Sequence, residues 1–163
     1  MVEILVVPWD DPRGIAMRDA MNAETGAMYA TFTSGLSPEQ VVAVDDALSI
    51  DPAEMVVSII ALDGDTVVGH SALRPVSTGS ASGALEVKKV YTIPQARGLG
   101  AAKAMLAWLE DYARERGVAS LVLQTGPLQV AAIRLYEQIG YTPIPAYGKY
   151  GVIPGALCFV KAL

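Results

Sequence analysis

The segment from Glu86 to Lys103 constrains the fold more than any other part of this chain. A strand-like run, Glu86-Val-Lys-Lys-Val-Tyr-Thr92, gives way to the link Ile93-Pro-Gln-Ala-Arg97. Gly98-Leu99-Gly100 then stands at the mouth of an amphipathic helix. A helix N-terminus presents unpaired N–H groups and a partial positive charge, and glycines let a phosphate come close to that backbone. Arg97 adds a formal charge. The spacing alone fits either an anion cradle or a tight strand-to-helix connection. Two familiar nucleotide loops do not fit. The dinucleotide fingerprint needs a third glycine where Lys103 stands, and its first glycine directly after the strand. The Walker loop needs four residues between its glycines, then Lys-Ser/Thr.

Around this segment the elements alternate. Val2 to Val7 reads as a strand. Asp11-Pro12 caps a helix carrying Met17, Met21 and Met28 on one side, and Ser37 to Gln40 forms a capping box. The second helix has Val41, Val44 and Leu48 as its expected buried stripe, and Tyr29 to Leu36 is expected as the intervening loop. Met55–Leu62 and Thr66–Leu73 flank Asp63-Gly-Asp65 as a hairpin. Ala84–Thr92 follows as a strand, Leu99–Arg116 as a long helix, Ser120–Thr125 as a strand and Val130–Ile139 as a helix. Tyr141–Ile144 and Ala156–Leu163 close the chain around a Pro/Gly/Tyr-rich loop. The order βααβββαβαββ predicts an α/β fold on a mixed sheet. No linker divides residues 1–163, so a single domain is expected.

Composition narrows the functional classes. With 52% hydrophobic residues and a net charge of -5, the chain is not intrinsically disordered. Its 17 acidic against 12 basic residues argue against a non-specific nucleic-acid binder and would tolerate a cationic substrate. The longest notable uncharged stretch, Gly117 to Ile133, is broken by Gly126-Pro127 and two glutamines, so no membrane span is expected. No basic n-region opens the chain, and the one cysteine, Cys158, suits a reducing compartment; a cytoplasmic location is expected.

Gln95, Gly98 and Gly100 match the Gln/Arg-x-x-Gly-x-Gly/Ala loop of the GNAT N-acetyltransferase superfamily, and the similarity extends further. Val90 to Pro94 resembles the preceding strand end. Leu121 to Thr125, then Gln129, Ala132, Leu135-Tyr136-Glu137 and Gly140-Tyr141, resemble the later strand and its helix. The ending, Ile144 to Gly148 and Leu157 to Lys161, is similar to small bacterial members. The resemblance covers residues 55 to 163 clearly. It implies a GNAT-type acyl-CoA transferase fold, a mixed central sheet splayed between its middle strands and flanked by helices. It also implies acetyl-CoA as co-substrate. Backbone groups of Val90, Tyr91 and Thr92 would meet the pantetheine arm. Amides from Arg97, Gly98, Leu99, Gly100, Ala101 and Ala102 would hold the pyrophosphate. Gln129 would stand near the cofactor or else cap its own loop.

Acetylating an amine requires a base for the nucleophile and an acid for the departing thiolate. Tyr136 shares a helix face with Ala132, Leu135 and Ile139. Pattern alone makes it a core tyrosine, whereas the resemblance makes it the acid. Glu86 is the candidate base, directly or through water, with an exposed carboxylate paired to Lys88 as the alternative. Tyr29, Phe32, Tyr147 and Tyr150 lie where relatives shape the acceptor site. They either grip an apolar or cationic group or pack the loop. His70 and Cys158 read as packed core residues, and no metal is expected. The expected enzyme acetylates a primary amine of a small molecule or peptide, and homodimers occur among relatives. A non-catalytic acyl-CoA sensor would keep the glycine loop without needing Tyr136.

Overall fold

The structure is a computed structural model describing all residues from Met1 to Leu163. Seven strands, β1 (Val2–Val6), β2 (Val57–Asp63), β3 (Thr66–Pro75), β4 (Leu85–Thr92), β5 (Ser120–Thr125), β6 (Thr142–Ile144) and β7 (Leu157–Ala162), form one sheet in the order β1-β2-β3-β4-β5-β7-β6. Four helices, α1 (Pro12–Thr33), α2 (Pro38–Leu48), α3 (Ala101–Glu115) and α4 (Val130–Gln138), flank it. The order along the chain is the one read from the sequence. Every neighbouring pair is antiparallel except β4 and β5. Their pairing is limited to Leu85–Leu121 and Glu86–Val122, after which the strands part. This is the splay between the middle strands.

Alternation along the strands sorts the two faces. Ile59, Leu73 and Val87 pack on one face with Met105, Leu106 and Leu109 of α3, all at most 3% exposed. Each such side chain contributes roughly 1.5–3 kcal/mol by leaving water. Gly69 allows α3 to lie close to β3, because a Cβ there would stand within 3 Å of Met105 and of the Tyr91 carbonyl. Ser58 and His70 face the other way, toward α1. His70 is fully buried; its Nε2 lies 3.1 Å from both Arg18 Nη1 and Ser58 Oγ, and its Nδ1 lies 3.1 Å from the Lys89 carbonyl oxygen. A carbonyl can only accept, so Nδ1 carries the proton and Nε2 receives the other two bonds.

The Lys89 carbonyl belongs to a bulge in β4. Ala72 pairs with Lys88 and His70 with Tyr91, so Lys89 and Val90 together oppose Ser71. Lys89 is the only non-glycine residue with positive φ, at 54°. Such backbone costs on the order of 1–2 kcal/mol, and the bond to His70 helps hold it.

Three sequence expectations are corrected. α1 runs to Thr33, placing Tyr29 and Phe32 on its last turns rather than in a loop. Its inward face also differs from the methionine stripe: Gly14 and Arg18 are the buried residues, and Met28 is exposed. The face is polar because it packs against His70 rather than aliphatic side chains. α2 buries only Ala47, leaving Val41 and Leu48 exposed. Val44 and Leu48 instead form part of the wall of a cleft.

Candidate functional site

The cleft opens where β4 leaves β5. It has a volume of about 380 Å³, within the size range of small-molecule pockets. Val87, Lys88 and Lys89 of β4 and Gln124 and Thr125 of β5 form one side. Met21, Phe32, Leu36, Val44 and Leu48 from α1, α2 and their connection form an apolar wall. Tyr29 lies on the cleft too and packs edge-on against Phe32, with ring centroids 6.2 Å apart. Its hydroxyl accepts a 3.1 Å bond from the Leu128 amide, strapping α1 to the loop after β5. Gly126 makes room, since a Cβ there would collide with that hydroxyl.

Tyr147 and Tyr150 do not line the cleft, which corrects their expected place on the acceptor surface. Both are 3% exposed, because the 3₁₀ turn Gly148–Val152 folds them over a buried ionic cluster. The Tyr147 hydroxyl donates to Glu86 Oε2 at 2.5 Å. The Tyr150 hydroxyl accepts from Lys88 Nζ at 2.8 Å and Arg74 Nη2 at 3.2 Å. Glu86 is 1% exposed and takes Arg74 Nε at 2.7 Å, so it is no solvent-facing strand carboxylate. It has no opening onto the cleft, and a proton reaching it must cross a neighbouring group.

That neighbour is Lys88, a residue the sequence reading treated only as an ion-pair partner. It lines the cleft with Nζ 4.0 Å from Glu86 Oε1. Burial pushes its pKa down to about 8, against the upward pull of Glu86. Lys89 lies beside it, its Nζ donating to Asn22 Oδ1 at 3.2 Å. Two successive lysines in an apolar strand of an acidic chain were the available signal.

At the other end of the splay, Gly98 and Gly100 have φ of 80° and 87°, and nothing lies within 4 Å of where their Cβ atoms would stand. Gly100 is the N-cap of α3, whose first amides have no side-chain cap. An anion could approach this backbone directly. Leu99 is exposed beside it. Arg97 is committed elsewhere: its guanidinium reaches both Glu24 oxygens at 2.7 Å and the Thr92 carbonyl at 3.1 Å. Glu24 also accepts from the Tyr91 hydroxyl at 3.1 Å, tying α1 to the glycine loop. Thr92 Oγ1 is buried without a hydrogen-bond partner. Beyond Glu86, the edge of β4 that faces β5 has no strand partner. An unpaired edge, an orphaned hydroxyl and an open uncapped helix start fit the amides and pyrophosphate of coenzyme A.

Gln129 lines the cleft, and its Oε1 accepts from the Gly126 amide at 3.0 Å and Thr125 Oγ1 at 3.1 Å. It caps its own loop and leaves its amide nitrogen free. Tyr136 lies in the α3-side core, 5% exposed, with its ring 5.8 Å from Tyr141 and 6.2 Å from Phe159. Burial raises its pKa well above the ordinary tyrosine value. The hydroxyl bonds to no other group of the chain and does not line the cleft.

Comparison with known proteins agrees with this geometry. The sequence profile of the Acetyltransferase (GNAT) family matches residues 17–141. An IAA acetyltransferase of Azospirillum brasilense is 35% identical over 105 residues, 64% of this chain and 67% of that protein. The matched segments span about half or less of several other curated relatives. A Klebsiella pneumoniae crystal structure described as an acyl-CoA N-acyltransferase superposes with a TM-score of 0.76 at 29% identity, covering 100% of this chain and 98% of that one. The PaiA N-acetyltransferase of Thermoplasma acidophilum, solved with coenzyme A, shares the fold at TM-score 0.67 and 14% identity, covering 100% and 99%.

Proposed function

The chain belongs to the GNAT acetyltransferase family and is an acetyl-CoA-dependent acetyltransferase; on that premise we propose that it acetylates a primary amine of a small molecule or peptide by direct attack. The reading takes residues 1–163 as a single catalytic domain. The observation that carries it is the parting of β4 and β5, with open left-handed glycines beyond one end of it and an apolar-walled cleft at the other. Its modest volume favours a small acceptor.

In this reading the amides from Gly98 to Ala102 hold the pyrophosphate. The edge from Val90 to Thr92, with Thr92 Oγ1, takes the pantetheine arm. The free amide nitrogen of Gln129 faces the acyl end. Bound acetyl-CoA supplies an activated thioester carbonyl. A free alkylammonium has a pKa near 10.4, so only about one molecule in 10³ is nucleophilic at pH 7. Glu86 assists its deprotonation from behind, through Lys88 and the hydroxyls of Tyr147 and Tyr150. Tyr136, which lies outside the lining of the acceptor cleft but has an unbonded, protonated hydroxyl that is not fully enclosed, is assigned the donation to the leaving thiolate. The buried free thiol of Cys158 suits a cytoplasmic enzyme, and no helix is long and apolar enough to cross a membrane.

Calorimetric titration with acetyl-CoA, followed by thiol release over an amine panel, tests the reading. Amine-dependent thiol release is expected. Tight binding with no release on any amine would leave a sensing domain instead. Gly100→Val should weaken acetyl-CoA binding at least about 10-fold in a folded protein. Unchanged affinity would remove the cofactor from this loop.

A further inference from the structure

The charges on the cleft run against those of the whole chain. The chain carries -5, yet Lys88 and Lys89 face the cleft and Asp45, exposed on α2, is the one carboxylate on its lining. Arg74 also reaches Glu54 at 3.8 Å, and Glu86 offsets only part of the remaining charge. Its oxygens are held by Arg74 at 2.7 Å and Tyr147 at 2.5 Å, with Lys88 at 4.0 Å. The closest partner of Lys88 is the neutral hydroxyl of Tyr150, and that of Lys89 is the neutral amide oxygen of Asn22. Arg18, behind the bulge, is buried against Trp9 and His70 without a carboxylate of its own. The β4 side of the cleft therefore holds surplus positive charge in a partly desolvated setting, where a missing counter-charge is costly.

Opposite these lysines the wall is apolar. Phe32 and Leu48 are 39% and 41% exposed, and both look into the cleft with Met21, Leu36 and Val44. Large apolar side chains left open beside a pocket mark a surface that a ligand covers.

We propose that the acceptor is a small amine that also bears a carboxylate and an apolar side chain, of the α-amino-acid kind, with Lys88 and Lys89 receiving the carboxylate and the α1–α2 wall receiving the side chain. The proposal rests on the transferase reading above. It reverses the sequence-based hint of a cationic substrate, because a polycationic amine would meet two like charges. The same lysines disfavour the ammonium form of the acceptor, raising the fraction that can attack. In the transfer, a bond forms between amine nitrogen and acetyl carbon, and the carbon–sulfur bond breaks. One proton leaves the nitrogen and one reaches the sulfur.

The test uses matched ligands: phenylalanine and leucine, their carboxamides, and the amines that lack the carboxyl group. Binding is measured by calorimetry with coenzyme A present, and thiol release with acetyl-CoA. Each acid should bind and react about 10–100-fold better than its carboxamide, although the carboxamide is the more easily deprotonated amine. Lys88→Met and the half-exposed Lys89→Gln should each reduce that preference about 10-fold, and the second variant covers the chance that the first does not fold. A carboxylate preference in binding without any turnover would keep Lys88 and Lys89 as the carboxylate site but overturn the acceptor role together with the transferase reading. Turnover of amines with no carboxylate preference would sink this inference alone. Failure of every ligand to bind, or better use of a linear polyamine, would overturn it as well.

Discussion

Replacing Tyr136 with phenylalanine separates chemistry from packing, because the structure makes opposite forecasts for the two. The ring lies among Tyr141 and Phe159 at centroid distances of 5.8 and 6.2 Å, contacts that phenylalanine keeps. The hydroxyl has no hydrogen-bond partner in the chain and sits on a residue only 5% exposed. Only Thr92 and Tyr141 have fully enclosed hydroxyls without a partner, so solvent reaches this one and deleting it should change stability by less than about 1 kcal/mol either way. For a domain of this length that keeps Tm within roughly 2–4 °C of the wild type. The lost proton donor should meanwhile lower turnover by 10²–10⁴-fold, or about 2.7–5.4 kcal/mol in the barrier. Urea denaturation measures the first effect and single-turnover thiol release at saturating acetyl-CoA the second. The rate deficit should shrink with acyl donors whose thiol is the better leaving group. Since burial keeps the hydroxyl protonated, wild-type turnover should show no alkaline decline from this residue up to pH 10. A variant that turns over at the wild-type rate with chemistry rate-limiting refutes the acid role. A stability loss above about 1 kcal/mol would mean that the hydroxyl has a structural partner.

Three further outcomes follow from the geometry. Burial pushes His70 down to about 4, helped by the charges of Arg18 and Lys89 and opposed by the Lys89 carbonyl. Its stabilising neutral form is fully present above pH 6.5 and lost as pH falls toward 4, a span worth about 3 kcal/mol; chemical denaturation across pH 4–7 should show this slope, and His70→Gln should flatten it. Glu86→Gln removes the one buried carboxylate beside Arg74, leaving it the exposed Glu54 at 3.8 Å, and should destabilise the fold by up to about 3 kcal/mol, while depressing turnover most at low pH where few amines are neutral. An unchanged pH–rate profile in the folded variant would assign Glu86 to structure alone. Gly126→Ala should displace Tyr29 from its bond to Leu128 and raise the acceptor KM several-fold while leaving acetyl-CoA affinity near wild type, as calorimetry would report.

The local signals that were legible are those written within a few residues. The capping box at Ser37 and Gln40 and the glycine-led start of α3 appear as read. Such features depend on backbone geometry and neighbours on one element. What the sequence hid depends on partners far along the chain. Glu86 meets Arg74, Tyr147 and, through Lys88, Tyr150, so no local pattern distinguishes it from an exposed strand carboxylate. The end of α1 was missed because Tyr29 is anchored by Leu128, 99 residues away. Val41, Val44 and Leu48 of α2 were read as core because periodicity reports an apolar face without saying what covers it.

The two-pair seam between β4 and β5 also bears on how the enzyme comes apart. Strands β1 to β4 form one ribbon and β5, β7 and β6 another, joined in the sheet only at Leu85–Leu121 and Glu86–Val122. A coenzyme wedged into that parting would act as a mortar joint between the halves. At a thousandfold excess over its dissociation constant, a ligand adds about 4.1 kcal/mol to the folded state. Amide exchange in the free enzyme should therefore be fastest along the facing edges of the two ribbons. With coenzyme present, both halves should exchange on one common timescale, as a single cooperative body.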